Sequence, residues 1–164
     1  MSYSETRFTK DIDLMFEGGE TQIAELISAV ESLQIYVDPL DTVLEFNLPK
    51  QLPINVLDGS YGTRADLYIA RSYGLDQTAM SRRRERLMYN NPILNAWYLS
   101  PEDVILYKLD YFKQSEGVSQ KHPIDIAKML GVLGDQLDFN YLDHWAQTLG
   151  VLDLWHALLQ EFRK

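Results

Sequence analysis

The apolar residues change their period along the chain, and this change restricts the possible folds more than any other feature of the sequence. In residues 11–16 polar and apolar side chains alternate, which is typical of a half-buried strand. Between Ile23 and Leu33 the apolar residues instead recur at every third or fourth position. That spacing predicts an amphipathic helix of about four turns, capped by Thr21. The sequence therefore predicts a domain that combines a sheet with helices.

Further short apolar stretches extend the predicted sheet. Residues 54–58 and 64–70 flank a Gly-Ser-Tyr-Gly turn, and this pattern predicts an antiparallel hairpin. The polar, arginine-rich residues 76–86 are predicted to form a helix. The apolar runs at residues 86–89 and 95–99 are then expected to complete the sheet.

The C-terminal part has the pattern of packed helices. Ser100 is a favourable N-cap and Pro101 fits a first helical turn, and two acidic residues follow them at the positive end of the helix dipole. Helices are predicted at residues 100–115, 122–134, 138–149 and 151–162. We therefore predict an α+β fold with a short mixed sheet in residues 1–99 and a helical bundle in residues 100–164 packed on it.

Composition and charge exclude several kinds of site. The chain has no cysteine, which excludes disulfides, zinc ribbons, iron–sulfur clusters and thiol catalysis. Its three histidines are scattered along the sequence, and we assign them no catalytic or metal-binding role. A net charge of −9 disfavours general binding to nucleic acid, although residues 61–90 carry six basic and three acidic side chains. No apolar run approaches about 18 residues, so we expect a soluble, cytoplasmic protein without membrane contact.

Three aspartates are candidate metal ligands. Asp11 and Asp13 lie two apart on the first predicted strand, so both carboxylates project from one face and can chelate a divalent cation such as Mg²⁺. Asp66 lies inside a later strand between apolar neighbours, where an unpaired carboxylate carries a desolvation cost. The residues alone also permit a simpler interpretation, in which these acids are solvated side chains on the polar face of a sheet.

Several segments match, in order, the motifs of one enzyme superfamily. The segments are Arg7-Phe8-Thr9-Lys10-Asp11-Ile12-Asp13-Leu14, Arg64-Ala65-Asp66-Leu67-Tyr68, Ser100-Pro101-Glu102-Asp103-Val104-Ile105-Leu106-Tyr107-Lys108-Leu109, His122-Pro123-Ile124-Asp125-Ile126, and Leu137-Asp138-Phe139-Asn140-Tyr141-Leu142 with Trp145. They resemble the nucleotidyltransferase superfamily, in the branch related to the AbiEii-type toxins and the minimal nucleotidyltransferases. The resemblance covers nearly the whole chain and implies a nucleotidyltransferase-like fold.

The resemblance implies an enzyme that moves a nucleoside monophosphate from a nucleoside triphosphate to an RNA, such as a tRNA, or to a protein. Asp11, Asp13 and Asp66 would bind Mg²⁺, and Asp66 would also help to deprotonate the acceptor. Lys108 would neutralise phosphate charge, and Asp125 would orient that lysine or the acceptor. Members of this branch are often toxins of toxin–antitoxin or phage-defence modules, so an antitoxin protein is an implied partner. From the residues alone, Lys108 can instead be a solvated lysine and Asp125 a helix first-turn acid.

The one concentrated basic stretch is Arg82-Arg83-Arg84-Glu85-Arg86. Guanidinium groups bind phosphate in a bidentate manner, so Arg82 and Arg84 are predicted to contact nucleotide phosphates or an RNA acceptor. An exposed helix face that pairs with the acidic surface explains the same stretch without a ligand.

One family feature is missing from this sequence. Members of the superfamily carry a strand and a Gly-Ser or Gly-Gly turn before the acidic strand, whereas Gly18-Gly19 comes after it. The chain is therefore predicted to be either truncated at its start or a shortened member. In the second case a catalytically inactive binding or regulatory protein is the alternative function. An exposed sheet edge would remain in both cases, and a homodimer could cover it.

Overall fold

The protein combines helices and a small sheet in two compact units. The computed structural model describes residues 11–115, 117 and 121–162, so Arg7 to Lys10 of the first motif lie outside the described residues. Helix accounts for 56% and strand for 22%, which confirms the predicted α+β class. We call the described residues of 11–77 the sheet unit, and the described residues of 78–162 the helical unit.

The sheet unit contains four strands and two helical regions. Its elements are β1 (Asp11–Phe16), α1 (Glu20–Ser32), β2 (Tyr36–Val37), α2 (Leu40–Thr42), a π-helical turn (Val43–Asn47), α3 (Leu48–Lys50), β3 (Ile54–Asp58) and β4 (Thr63–Ile69). The strands are ordered β1-β4-β3-β2. β4 pairs in parallel with β1 and antiparallel with β3, and β3 pairs antiparallel with β2. The predicted hairpin of β3 and β4 is confirmed.

One face of this sheet is covered by α1. Ile23 and Ile27 of α1 are buried against Val37, Ile54 and Leu67 of the strands, as the spacing of the helix predicts. The helix covers this face only in part, since the side chains of Ile12 and Leu14 on β1 are half exposed. Among the described strands, β1 has β4 as its only neighbour and lies at the edge of the sheet.

The start of α1 differs from the prediction. The helix begins at Glu20 with Gly19 as its N-cap, and Thr21 lies inside the first turn. The Gly19 backbone N–H donates to Oε1 of Gln22 over 3.0 Å, which satisfies an amide that the helix itself leaves unpaired. The prediction of a Thr21 cap was wrong, because the N-cap is Gly19, two residues earlier, and its backbone N–H is satisfied by the Gln22 side chain.

The helical unit contains a two-stranded hairpin and four longer helices. The elements are α4 (Gly74–Arg82), within which the unit begins, β5 (Arg84–Asn90), β6 (Ile93–Tyr98), α5 (Pro101–Gln114), α6 (Lys121–Leu133), a 3-10 turn (Gly134–Gln136), α7 (Phe139–Thr148) and α8 (Leu152–Phe162). α5 packs against α6 and α7, and α8 packs against the same two helices. The four predicted C-terminal helices are therefore present within one or two residues of their predicted ends.

The arginine-rich stretch is not one helix. α4 ends at Arg82 and β5 begins at Arg84, whereas residues 76–86 were predicted to be helical throughout. Ala79 and Met80 are buried on α4, but the following four residues offer no apolar side chain to continue a buried stripe. β5 instead pairs with β6, and the two form a separate sheet rather than completing the larger one.

The core of the helical unit comes from all four long helices. Buried apolar side chains include Ile105, Leu106, Leu109, Ile126, Met129, Leu130, Leu142, Ala146 and Trp155. Among the described residues no helix is both long enough and apolar enough to span a bilayer. The helix ends are capped locally, since Ser100 accepts the backbone N–H of Asp103 and Asp138 accepts that of Tyr141.

Candidate functional site

The register of β1 and β4 brings two of the predicted acids side by side. Asp13 is the direct neighbour of Asp66 across the parallel pair, and Asp11 is the neighbour of Arg64. Side chains paired in register point to the same face of a sheet, and neighbouring strands are about 4.8 Å apart. Since Asp11 and Asp13 also share a face, all three carboxylates lie on the face opposite to α1. We call this side of the sheet the polar face.

Arg64 lies within this group of acids. Its Nε donates to Oδ1 of Asp66 over 2.7 Å, and its Nη2 donates to Oδ1 of Asn55 over 2.7 Å. The hydrogen bond and the charge of Asp66 raise the pKa of Arg64, and Asp11 adds to this effect. The Asp66 side chain is largely buried, with an exposed fraction of 16%. The polar face therefore contains a fixed positive charge next to its most buried acid.

A buried carboxylate supports this arrangement from the far side of β3. Oδ2 of Asp38 accepts the Asn55 backbone N–H over 2.8 Å, its side-chain amide over 2.7 Å, and the Asn47 amide over 3.1 Å. Tyr36 donates to Oδ1 over 3.3 Å. Burial by itself would raise the pKa of Asp38, but the bonds from Asn55, Asn47 and Tyr36 together lower it. Asp38 thus fixes Asn55, and Asn55 contacts Arg64.

The donor chemistry of the polar face suits a hard divalent cation. Its predicted ligands are all carboxylate oxygens, which Mg²⁺ prefers over nitrogen or sulfur. In the part of the chain that the structure describes, however, no three acidic or histidine side chains converge closely enough to hold a metal ion. Arg64 provides a physical reason, because its guanidinium engages an oxygen of Asp66.

The two other predicted catalytic residues contact each other in the helical unit. Nζ of Lys108 on α5 lies 2.9 Å from Oδ2 of Asp125 on α6, and both side chains are mostly buried. The contact places the two side chains together, and the role of Asp125 in orienting Lys108 for a nucleotide stays a prediction. The contact does not require a nucleotide, because a partly buried ion pair between two packed helices also fixes their register.

Arg82 is engaged within its own unit. Its guanidinium lies 3.4 Å from Oε2 of Glu102 and 3.5 Å from Oδ2 of Asp103, and it stacks 3.9 Å above the ring of Tyr141. Asp103 is completely buried and accepts the hydroxyls of Ser100 over 2.6 Å and Tyr141 over 2.5 Å. Burial, followed by the bond to Asp103, raises the pKa of Tyr141. These contacts explain Arg82 without a phosphate.

Arg84 has different surroundings from Arg82. It is the first residue of β5 and its side chain is exposed. We predicted that these two arginines act together on phosphate, but they belong to different elements. Arg82 lies beside Glu102 and Asp103, whereas Arg84 is exposed on β5.

Sequence reasoning missed the residues that organise these contacts. Asn55 and Asp38 carry no motif, and Arg64 and Tyr141 were noted only as parts of segments. One signal was present: Asn55 and Arg64 lie on the same predicted hairpin as Asp66, at positions that antiparallel pairing brings together.

No model of a protein family, no curated protein sequence and no solved structure matches this chain. The resemblance seen in the sequence therefore stays a prediction. A proposal for the function depends instead on the geometry of the polar face.

Proposed function

We propose that this chain is a Mg²⁺-dependent nucleotidyltransferase of the nucleotidyltransferase-like fold, which transfers a nucleoside monophosphate to an RNA or protein acceptor. The observation that carries the proposal is the register of β1 and β4, which sets Asp13 beside Asp66 with Asp11 on the same face. A toxin role in a toxin–antitoxin or phage-defence module follows only from the sequence resemblance.

The proposed chemistry assigns a task to each acid. Asp11, Asp13 and Asp66 would hold Mg²⁺, which supplies charge neutralisation on the triphosphate when bound. In the reaction an acceptor hydroxyl oxygen bonds to the α-phosphorus, the bond from that phosphorus to the bridging oxygen breaks, and pyrophosphate leaves. Asp66 would accept the hydroxyl proton. A role for Lys108 in neutralising phosphate charge, with Asp125 orienting it, follows only from the sequence resemblance.

A thermal shift measurement tests the nucleotide site. With Mg²⁺ and ATP, CTP, GTP or UTP at roughly ten times the dissociation constant, binding adds roughly 1.4 kcal/mol to the stability of the folded state. For a protein of this size, that raises the melting temperature by about 3–5 °C. Asp13→Asn should remove the shift, because it removes one of the three carboxylates that would hold Mg²⁺. Asp13 is exposed, so the variant should still fold.

Asp41→Asn is the matched control for this experiment. It makes the same charge change in the same unit, on an exposed residue of α2. The control should keep the full shift. The absence of a shift with all four nucleotides, or an equal shift in the Asp13 variant, would contradict the proposal.

A second candidate function is supported by Arg64. Its guanidinium bonds to the acid that the metal would need, which favours a catalytically inactive binding or regulatory protein whose polar face is stabilised by arginine instead of a metal.

Arg64→Gln separates the two candidates. If Asp66 is a metal ligand, removing the competing cation should make the melting temperature respond to MgCl₂ alone at a several-fold lower concentration than in the wild type. Lys128→Gln, an equal charge change on an exposed residue of α6, should leave the response unchanged. A variant that is less stable and still insensitive to Mg²⁺ would favour the inactive protein.

A further inference from the structure

The hairpin of β5 and β6 exposes more large apolar surface than a soluble ribbon requires. Every residue of β5 is exposed, and exposure reaches 61% for Leu87 and 77% for Ile93. The large exposed side chains of the hairpin are Leu87, Met88, Tyr89, Ile93, Leu94, Trp97 and Tyr98. An isolated two-stranded ribbon is only marginally stable, and contiguous exposed apolar surface of this kind marks an interaction site.

The two faces of the hairpin differ in chemistry. Arg84 pairs with Tyr98 and Arg86 with Ala96, so one face is basic. Glu85 pairs with Trp97 and Leu87 with Asn95, so the other face is mainly apolar and carries one acid. Among the described strands, β5 and β6 pair only with each other, so no described strand occupies the outer edge of β5.

We propose that the outer edge of β5 binds an extended segment of another protein in which acidic and apolar residues alternate. A strand added along this edge would alternate its side chains between the two faces. Acidic residues would then lie beside Arg84 and Arg86, and an apolar residue would lie beside Leu87. The pattern of the partner follows from the pattern of β5 itself.

Two features favour a protein segment over a nucleic acid. Four of the seven large exposed apolar side chains are aliphatic or thioether groups: Leu87, Met88, Ile93 and Leu94. Such groups gain from burial in a protein interface but do not stack on bases as the three aromatic rings can. The chain also has a net charge of −9, which repels a long polyanion. A short segment with a few acids interacts mainly with the local arginines, because salt screens charges beyond about 8 Å.

Selection from a random displayed library of peptides of about 10 residues, enough for one strand, tests the proposal on the full chain. Selected peptides should alternate acidic and apolar residues. Their affinity should fall about tenfold or more, equivalent to about 1.4 kcal/mol, in the double variant Arg84→Glu/Arg86→Glu. The single variant Leu87→Ser, on β5 itself and on the opposite face from the arginines, should also weaken binding without a change of charge.

Lys121→Glu/Lys128→Glu is the matched control, with the same charge change on two exposed residues of α6. It should leave peptide affinity unchanged, and circular dichroism should show the same helix content in all variants. The proposal is overturned if the selected peptides lack acidic residues or bind the arginine variant equally well. It is also overturned if oligouridine RNA binds more tightly through the same arginines, or if the wild type dimerises through the hairpin.

Discussion

Asp103→Ala is expected to lower the free energy of unfolding by about 3–5 kcal/mol, because it leaves two hydroxyl donors in the interior unsatisfied, each at a cost of about 1–3 kcal/mol. Asp103 is fully buried and accepts the hydroxyls of Ser100 and Tyr141. The guanidinium of Arg82 would lose one of its two carboxylate neighbours while remaining stacked on Tyr141. Urea denaturation followed by circular dichroism measures the loss.

Asp110→Ala is the control for this variant. It makes the same change in the same helix, at a residue that accepts an exposed hydrogen bond from Nε2 of Gln114 over 2.8 Å. An exposed contact between residues four apart on a helix contributes about 0.2–0.5 kcal/mol. Equal losses in the two variants would show that the Asp103 cluster is not a major source of stability.

The absorbance of ionised tyrosine gives an independent view of the same cluster. In the folded protein Tyr141 should stay protonated above the pH at which exposed tyrosines ionise, since burial and Asp103 raise its pKa. That tyrosine should be missing from the titration of Tyr141→Phe.

The elements with a long apolar period were the most predictable from sequence. Helices α5 to α8 were predicted within one or two residues, because each has apolar residues at helical spacing, and α5 and α7 also begin at a capping side chain. β1, β3 and β4 followed from alternation and a turn. The parallel pairing of β1 and β4 places their acids side by side, but which residues pair could not be predicted from the sequence.

The side-chain networks could not be predicted, and the reason is physical. Asp103 and Tyr141 are 38 positions apart, and Asp38 and Asn55 are 17 apart, so only tertiary packing decides whether they meet. The start of β5 was missed because an arginine run suits either a helix or a strand. Its structure is decided by the available partner strand β6 and not by local preference.

Asp38→Ala is expected to cost about 3 kcal/mol of unfolding free energy, since the variant leaves several buried donors unsatisfied. Asn47 would lose its bond to the carboxylate, and Asn55 would lose two. Because Asn55 accepts from Arg64, the loss should also loosen Arg64 on the polar face. Asp41→Ala, on an exposed residue of α2, should change stability by no more than about 0.5 kcal/mol.

The pH dependence of this loss distinguishes the charge of Asp38 from its shape. The folded-state pKa of Asp38 is lowered relative to an unfolded aspartate, whose pKa is about 3.9. Stability from such a group is fully present above the unfolded pKa and is lost as the pH falls through the folded one. The difference between wild type and Asp38→Ala should therefore be constant near neutral pH and shrink below about pH 4. A difference that stays the same into the acid range would mean that Asp38 acts through packing and neutral hydrogen bonds, and that Asn55 and Arg64 are positioned without its charge.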